Sequence, residues 1–271
     1  MRPACQTHEV QARSALFDLY GDHVRPRGGA APIAALVKLL APLDIAAPAV
    51  RTAVSRMVRQ GWLRPEKLTS GPGYALTPKA SIRLDDASAR IYRTRAGDWD
   101  GHWHLLVVRA PADRSVRARL YASLRFFGYG SLDGAVWVAP RPAAEAPGLL
   151  AESGAPAEAF HATHAAGTAG ALEMVERAWD LKTVGLAYQQ FVDELRPVVD
   201  AADDHSTDED AYAARFRLVH AWRQFLFSDP ALPTELLPAD WPGTTAAAFF
   251  DHHAGRLLPP ASRYVDACLA T

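Results

Sequence analysis

The chain has 271 residues, 49% of them hydrophobic and 22% charged, with a formal net charge of −1. That length suits two or three domains, and no apolar run approaches the roughly 20 residues of a membrane-crossing helix. Two cysteines, Cys5 and Cys268, exclude a disulfide scaffold and any cysteine-based zinc motif. The opening "MRPACQTHEVQARS" has charges but no apolar stretch behind them, so a cytoplasmic protein without a signal peptide is expected.

The small net charge hides an asymmetry. Residues 1–91 carry 13 Lys and Arg against 7 Asp and Glu, whereas the remainder carries 16 against 23. A basic first third beside an acidic remainder suggests one part that meets a polyanion and one that does not.

Residues 14–24 read as a short amphipathic helix opening at a Ser N-cap. "RPRGG" (25–29) is a turn or a very short strand. Over 32–41, Ile33, Leu36, Val37 and Leu40 share a helical face, with Pro32 in the first turn. "PLDI" breaks that helix, and a second begins near Ala47 or Pro48 and stops at Gly61. "WLRPEKLTSGPGYALTP" reads as two short strands around "TSGPG". Residues 78–93 start a further helix that serves as a linker. Helix, turn, helix, short turn, helix, hairpin, helix is the order of a winged helix-turn-helix.

The helix that begins near Ala47 or Pro48 carries the functional signal. At about 100° per residue, Val50, Ala53, Val54 and Met57 fall on one core-facing arc. Thr52, Ser55, Arg56 and Arg59 fall opposite, with Arg51 on the flank. That outward face holds no acid, although a solvated helix usually mixes signs to gain i,i+4 pairs. Arginine bonds guanine edges in bidentate fashion, and Ser and Thr reach bases or phosphates. The hairpin adds Lys67, Thr69, Ser70 and Tyr74 as phosphate contacts for a wing. A winged helix used for protein contact is the alternative.

From about Trp99 the pattern changes. "HWHLLVVRAP" is a strand buried on both faces toward its end. "DRSVRARLYASLRFFGYG" is an amphipathic helix with Val116, Leu120, Leu124 and Phe127 on one face. "GAVWVAP" is a strand, "RPAAEAPGLLAESG" a helix, and "AEAFHATHAA" a third strand. The alternation suggests a small α/β sandwich, ferredoxin-like in type. From about Thr168 the chain reads as helical, with "ALEMVERAWDLKTVGLAYQQFVDELRPVV" and "DEDAYAARFRLVHAWRQFLFS" as long amphipathic segments. The acidic "DAADDHSTDED" between them is a solvated loop, "DPALPTELLPADWPG" a connector, and "TTAAAFFDHHAGRLL" the start of a last helix. The expected partition is 1–92, 93–166 and 167–271.

Other candidates are weaker. His161 and His164 lie three apart and would point to opposite faces of a strand, and His252 and His253 are adjacent and diverge on a helix. No metal site is therefore expected. Without a Gly-rich phosphate loop or a GxSxG elbow, no catalytic residue is assigned.

Several blocks resemble the PaaX family of transcriptional repressors of phenylacetate and related aromatic catabolism: "LFDLYGDHVRPRGG", "AVRTAVSRMVRQGWL", "YALTPKA", "WDGHWHLLVV", "LRFFGYGSLDGAVWVAP" and "LVHAWRQFLFSDPALPTELLPADWPG". They follow in order over nearly the whole chain. The resemblance implies a winged helix, a central ferredoxin-like domain similar to small CRISPR-associated nucleases, and a C-terminal helical domain. It implies a homodimer on a palindromic operator, released by an aryl-CoA thioester, typically phenylacetyl-CoA. Arg51, Thr52, Ser55, Arg56 and Arg59 are then the DNA-reading helix, beside a wing weakened by Glu66. The tryptophans after residue 98, among them Trp99, Trp103 and Trp137, are candidates for the aryl pocket. Arg125, His220 and Arg223 are candidates for the CoA phosphates. In the related nucleases an acid near the first strand binds metal, which makes Asp100 the centre of a rival nuclease reading; a turn at Asp100-Gly101 is the favoured one. A different acyl-CoA or a free aromatic acid is the milder rival for the effector.

Overall fold

A computed structural model describes residues 11–91, 99–203 and 205–270. Cys5 and the end of the expected linker helix lie outside them. In chain order the elements are α1 (Ala12–Leu19), β1 (Ala30–Pro32), α2 (Ile33–Leu40), α3 (Ala47–Arg59), β2 (Leu63–Leu68), β3 (Gly71–Leu76) and α4 (Pro78–Ile91). Then come β4 (Trp103–Val108), α5 (Arg114–Phe126), β5 (Gly130–Ser131), β6 (Val136–Ala139), α6 (Ala146–Glu152) and β7 (Ala157–Ala162). Among the described residues, five α-helices follow: α7 (Gly167–Ala178), α8 (Leu181–Ala201), α9 (Asp208–Trp222), α10 (Phe225–Ser228) and α11 (Pro242–Leu269). By packing, the described residues within Met1–Tyr92, Phe191–Trp222 and Ala247–Thr271 form one unit, and those within Arg93–Gln190 and Arg223–Ala246 form another.

The first unit is helical around a three-stranded antiparallel sheet of order β1-β3-β2. Its core joins both ends of the chain: Leu16, Leu19, Leu36, Leu40, Val50, Val54 and Met57 pack in one cluster with Tyr212, Phe216, Ala261 and Val265. α1 begins before Ser14, at a Gln11 N-cap, and runs into a π turn over Tyr20–Val24. Ser14 does not cap it; its hydroxyl donates to the Gln11 carbonyl at 3.0 Å. Arg25–Arg27 form a 3-10 turn, so the short strand follows "RPRGG" instead of lying in it. α2 buries Ala35, Leu36, Leu39 and Leu40, leaving Ile33 and Val37 on the flank of the core face. Lys38 is the only polar residue of α2, and the buried arc is the one opposite Lys38 and Ala34.

α9 is also not the amphipathic helix expected. Ala211 to Phe216, Leu218, Val219 and Trp222 are all buried while Arg217 is exposed, so burial runs round most of this helix instead of along one stripe. It starts at a capping box in which the Thr207 amide donates to Asp210 at 3.2 Å and the Asp210 amide donates to the Thr207 hydroxyl at 3.1 Å. The acidic segment before it is thus partly helical, and Asp208 accepts from Arg263 at 2.6 Å.

The second unit holds a four-stranded antiparallel sheet of order β5-β6-β4-β7. β5 is two residues long, too short to leave a periodic signal. Leu106 and Val108 of β4 pack with Leu120 and Leu124 of α5. Val107, expected inside, is 40% exposed, so this end of β4 is buried on one face only. The long helical segment expected after residue 170 is broken at Trp179–Asp180, where the Asp180 carboxylate accepts from the Thr183 amide at 3.1 Å and caps α8.

Candidate nucleic-acid interface

The α2–α3 connection is a tight turn. Ala41–Leu43 form a 3-10 turn and Asp44 takes φ 61°, the left-handed conformation that Asp tolerates better than most residues. Pro48 then sits in the first turn of α3, where its missing N–H costs nothing. α3 ends at Gln60 in a Schellman motif: the Gly61 amide donates to the Val58 carbonyl at 3.0 Å, and the Trp62 amide to the Met57 carbonyl at 2.9 Å. Gly61 has φ 71°, which explains a glycine there.

Between these stops the two faces of α3 separate cleanly. Val50, Ala53, Val54 and Met57 are buried, none more than 6% exposed. Arg51, Thr52, Ser55, Arg56 and Arg59 are exposed. No ion pair among the described residues includes Arg51, Arg56 or Arg59. The chain therefore presents three solvated guanidinium groups and two hydroxyls on about three turns of a rigid helix. A surface of this charge is chemically suited to a polyanion, and its Arg groups have the fork geometry for base edges or phosphates.

The hairpin beside it is short. Lys67 pairs with Pro72 and Leu68 with Gly71, leaving Thr69 and Ser70 as the exposed two-residue turn. β3 is the central strand, and a Cβ at Gly73 would lie 2.7 Å from the Ala31 carbonyl, so the close approach of β1 requires glycine. Lys67 and Thr69 are exposed as expected. Tyr74 is half-buried against the core, and its carbonyl accepts from the Tyr20 hydroxyl at 2.8 Å. Arg64 is held by Glu66 at 2.7 Å, so part of the hairpin's positive charge is internally neutralised.

Sequence reasoning missed the groups that hold this unit together. Arg215 of α9 is 2% exposed and donates to both carboxylate oxygens of Asp22 and to the Ala254 carbonyl at 3.2 Å. His23 is 1% exposed beside this pair, and burial lowers its pKa to about 4, with Asp22 opposing the shift and Arg215 adding to it. Arg27 bonds Asp266 at 2.6 Å. A lone arginine in the otherwise apolar "AYAARF" was the available signal.

The residues expected around an effector are divided between the two units. His220 belongs to the first unit, where its Nδ1 is bonded to the carboxylate of Asp18 in α1. Trp103 and Trp137 are 1% and 0% exposed. Because Trp137 stands opposite Leu106, one-residue alternation puts Trp103 on the other face of the sheet. Trp99 packs edge-on to Trp103 at 5.2 Å, and the exposed Arg125 lies 5.5 Å from the Trp137 ring centre. Burial holds the Arg223 guanidinium pKa down to about 10. Asp100 is exposed, and its Oδ1 accepts from the His102 amide at 2.9 Å around Gly101, the turn favoured from sequence. Among the described residues no group of three His, Cys, Asp or Glu is placed to hold a metal ion.

Comparison with known proteins agrees along the chain. Residues 11–80 match a model described as PaaX-like protein, 96–173 the PaaX protein central Cas2-like domain, and 179–267 the PaaX-like protein C-terminal domain. The chain is 32% identical over 265 residues to the transcriptional repressor PaaX of Escherichia coli (strain K12), covering 95% of this chain and 84% of that one. Among solved structures, an uncharacterized protein, Rv0674, from Mycobacterium tuberculosis is similar in fold, with a TM-score of 0.62 and 24% identity over 95% of this chain and 98% of that one.

Proposed function

The chain belongs to the PaaX-like family, and from that premise we propose that it is a DNA-binding repressor whose α3 reads an operator in the major groove. The observation that carries this reading is the acid-free outward face of α3, with Arg51, Arg56 and Arg59 solvated and outside every ion pair among the described residues. Thr52 and Ser55 lie between them, while Lys67 and Thr69 extend the contact to phosphates. The helix–turn–helix–hairpin order and the three-stranded sheet support a winged helix. The antiparallel order β5-β6-β4-β7, with α5 and α6 in the crossovers, supports a ferredoxin-like central part. A homodimer would set two α3 helices about one DNA turn apart on a palindromic site.

The effector in this reading is an aryl-CoA thioester of the phenylacetyl-CoA type, which releases DNA by binding the DNA-incompetent arrangement more tightly. Trp99, Arg125 and Arg223 in the second unit are the exposed or half-buried candidates for its contact. The test is a titration of the purified protein with a labelled duplex from upstream of its own gene, with and without phenylacetyl-CoA. Binding abolished by the thioester but not by free CoA is expected. Binding indifferent to the thioester would remove that effector, and absence of salt-sensitive binding would remove the DNA reading.

A further inference from the structure

His161, which finds no useful partner along its own strand, finds one across the sheet. His104 in β4 stands directly opposite His161 in β7. Opposed residues of an antiparallel pair point to the same face with Cβ atoms about 5 Å apart. The two imidazole centres are 5.5 Å apart. Two imidazoles bound to one ion through bonds of about 2.0–2.1 Å have centres roughly 5 Å apart, so a small side-chain rotation closes the chelate.

The half-buried His104 ring is already oriented. Its Nδ1 lies 2.7 Å from the Tyr129 hydroxyl, which also accepts from the Ala143 amide at 3.3 Å. With Nδ1–H donated to that oxygen, Nε2 is the free ligating nitrogen, the arrangement that usually supports a metal-bound histidine. His161 is exposed, leaving room for water on the remaining positions.

The other histidine pairs are less suited. His164 lies past the end of β7 and its Nδ1 accepts from the Ala166 amide at 3.2 Å. His252 and His253 are consecutive on α11, and His253 faces the Arg256 guanidinium at 3.5 Å, a cation that repels a metal ion.

We propose that His104 and His161 form an open two-imidazole site for a divalent transition metal of the copper, nickel or zinc class, with Tyr129 as the positioning residue. Imidazole donors without carboxylates select these ions over magnesium and calcium. This inference does not rest on the DNA-binding reading.

The experiment is a Cu²⁺ titration of the full-length, tag-free protein, followed by electron paramagnetic resonance, which counts the bound nitrogens. One tightest site with two imidazole nitrogens is expected. His161→Asn and His104→Asn should each remove that signal, and the double variant His252→Asn/His253→Asn should retain it. Tyr129→Phe should keep both nitrogens and weaken binding about ten-fold, as loss of an orienting partner does. A two-nitrogen signal that survives in folded His161→Asn, or its absence from the parent protein, overturns the proposal.

Discussion

Arg215 reaches Asp22 from 193 positions away in the chain, and both terminal nitrogens of the guanidinium meet that carboxylate inside the first unit. The ion pair joins the turn after α1 to α9, so the basic helix α3 is supported by residues from the far end of the sequence. Removing one partner strands the other charge in a buried place. Asp22→Asn or Arg215→Met should each lower unfolding stability by about 3–5 kcal/mol. The double variant should lose less than the sum of the two. Chemical denaturation checks this; single variants within 1 kcal/mol of the parent, or strict additivity, would contradict it.

His23 gives this unit a dependence on pH. Its folded pKa of about 4 lies below the ordinary 6.5 because burial penalises the charged ring. Between those values the unfolded chain binds the extra proton, so the stabilisation is complete above pH 6.5 and is lost as pH falls toward 4. The shift sets its size at about 3 kcal/mol. A series of denaturation midpoints from pH 7.5 to 4 in the parent and in His23→Gln is the check. The parent should lose stability more steeply across that window, and parallel curves would sink the assignment.

How far the sequence was legible follows from the range of the contacts involved. α3 was readable to the residue because Val50, Ala53, Val54 and Met57 alternate with polar side chains at a helical period. α9 was misread because its own pattern says little about neighbours that cover it on more than one face. His161 found its partner in His104 only through the β4–β7 register, and strand order is invisible to spacing along the chain. The same register separates Trp103 from Trp137, two residues that look alike in sequence. Local period and capping are encoded within a turn or two; sheet pairing and buried ion pairs are set by the whole fold.

The exposed face of α3 separates binding from folding. Arg56→Ala removes a solvated side chain that lies in no ion pair among the described residues, so stability should change by no more than about 0.5 kcal/mol. Operator affinity should fall by about 1–3 kcal/mol if Arg56 meets a guanine edge. Met57→Ala, one residue away on the buried face, should instead cost about 2–5 kcal/mol of stability. Fluorescence anisotropy with operator duplex, run beside a denaturation curve, separates the two. Equal operator affinity in folded Arg56→Ala would strike that residue from the interface.

The hairpin tests how charge is distributed over the proposed wing. Glu66 holds Arg64 at 2.7 Å, so one of the hairpin's two cations is tied to a carboxylate on its own strand. Glu66→Gln keeps the shape and removes the negative charge, leaving Arg64 free to turn toward a phosphate. If the hairpin lies against DNA, the variant should bind more tightly at low salt. Its dependence of log affinity on log salt should steepen by about 0.9, the value for one added phosphate contact on duplex DNA. Because Arg64 is more than half exposed, little stability rides on the pair itself. Anisotropy titrations across a range of salt concentrations give the slope. A slope unchanged from the parent would place the hairpin away from the DNA backbone and leave α3 to carry the electrostatics alone.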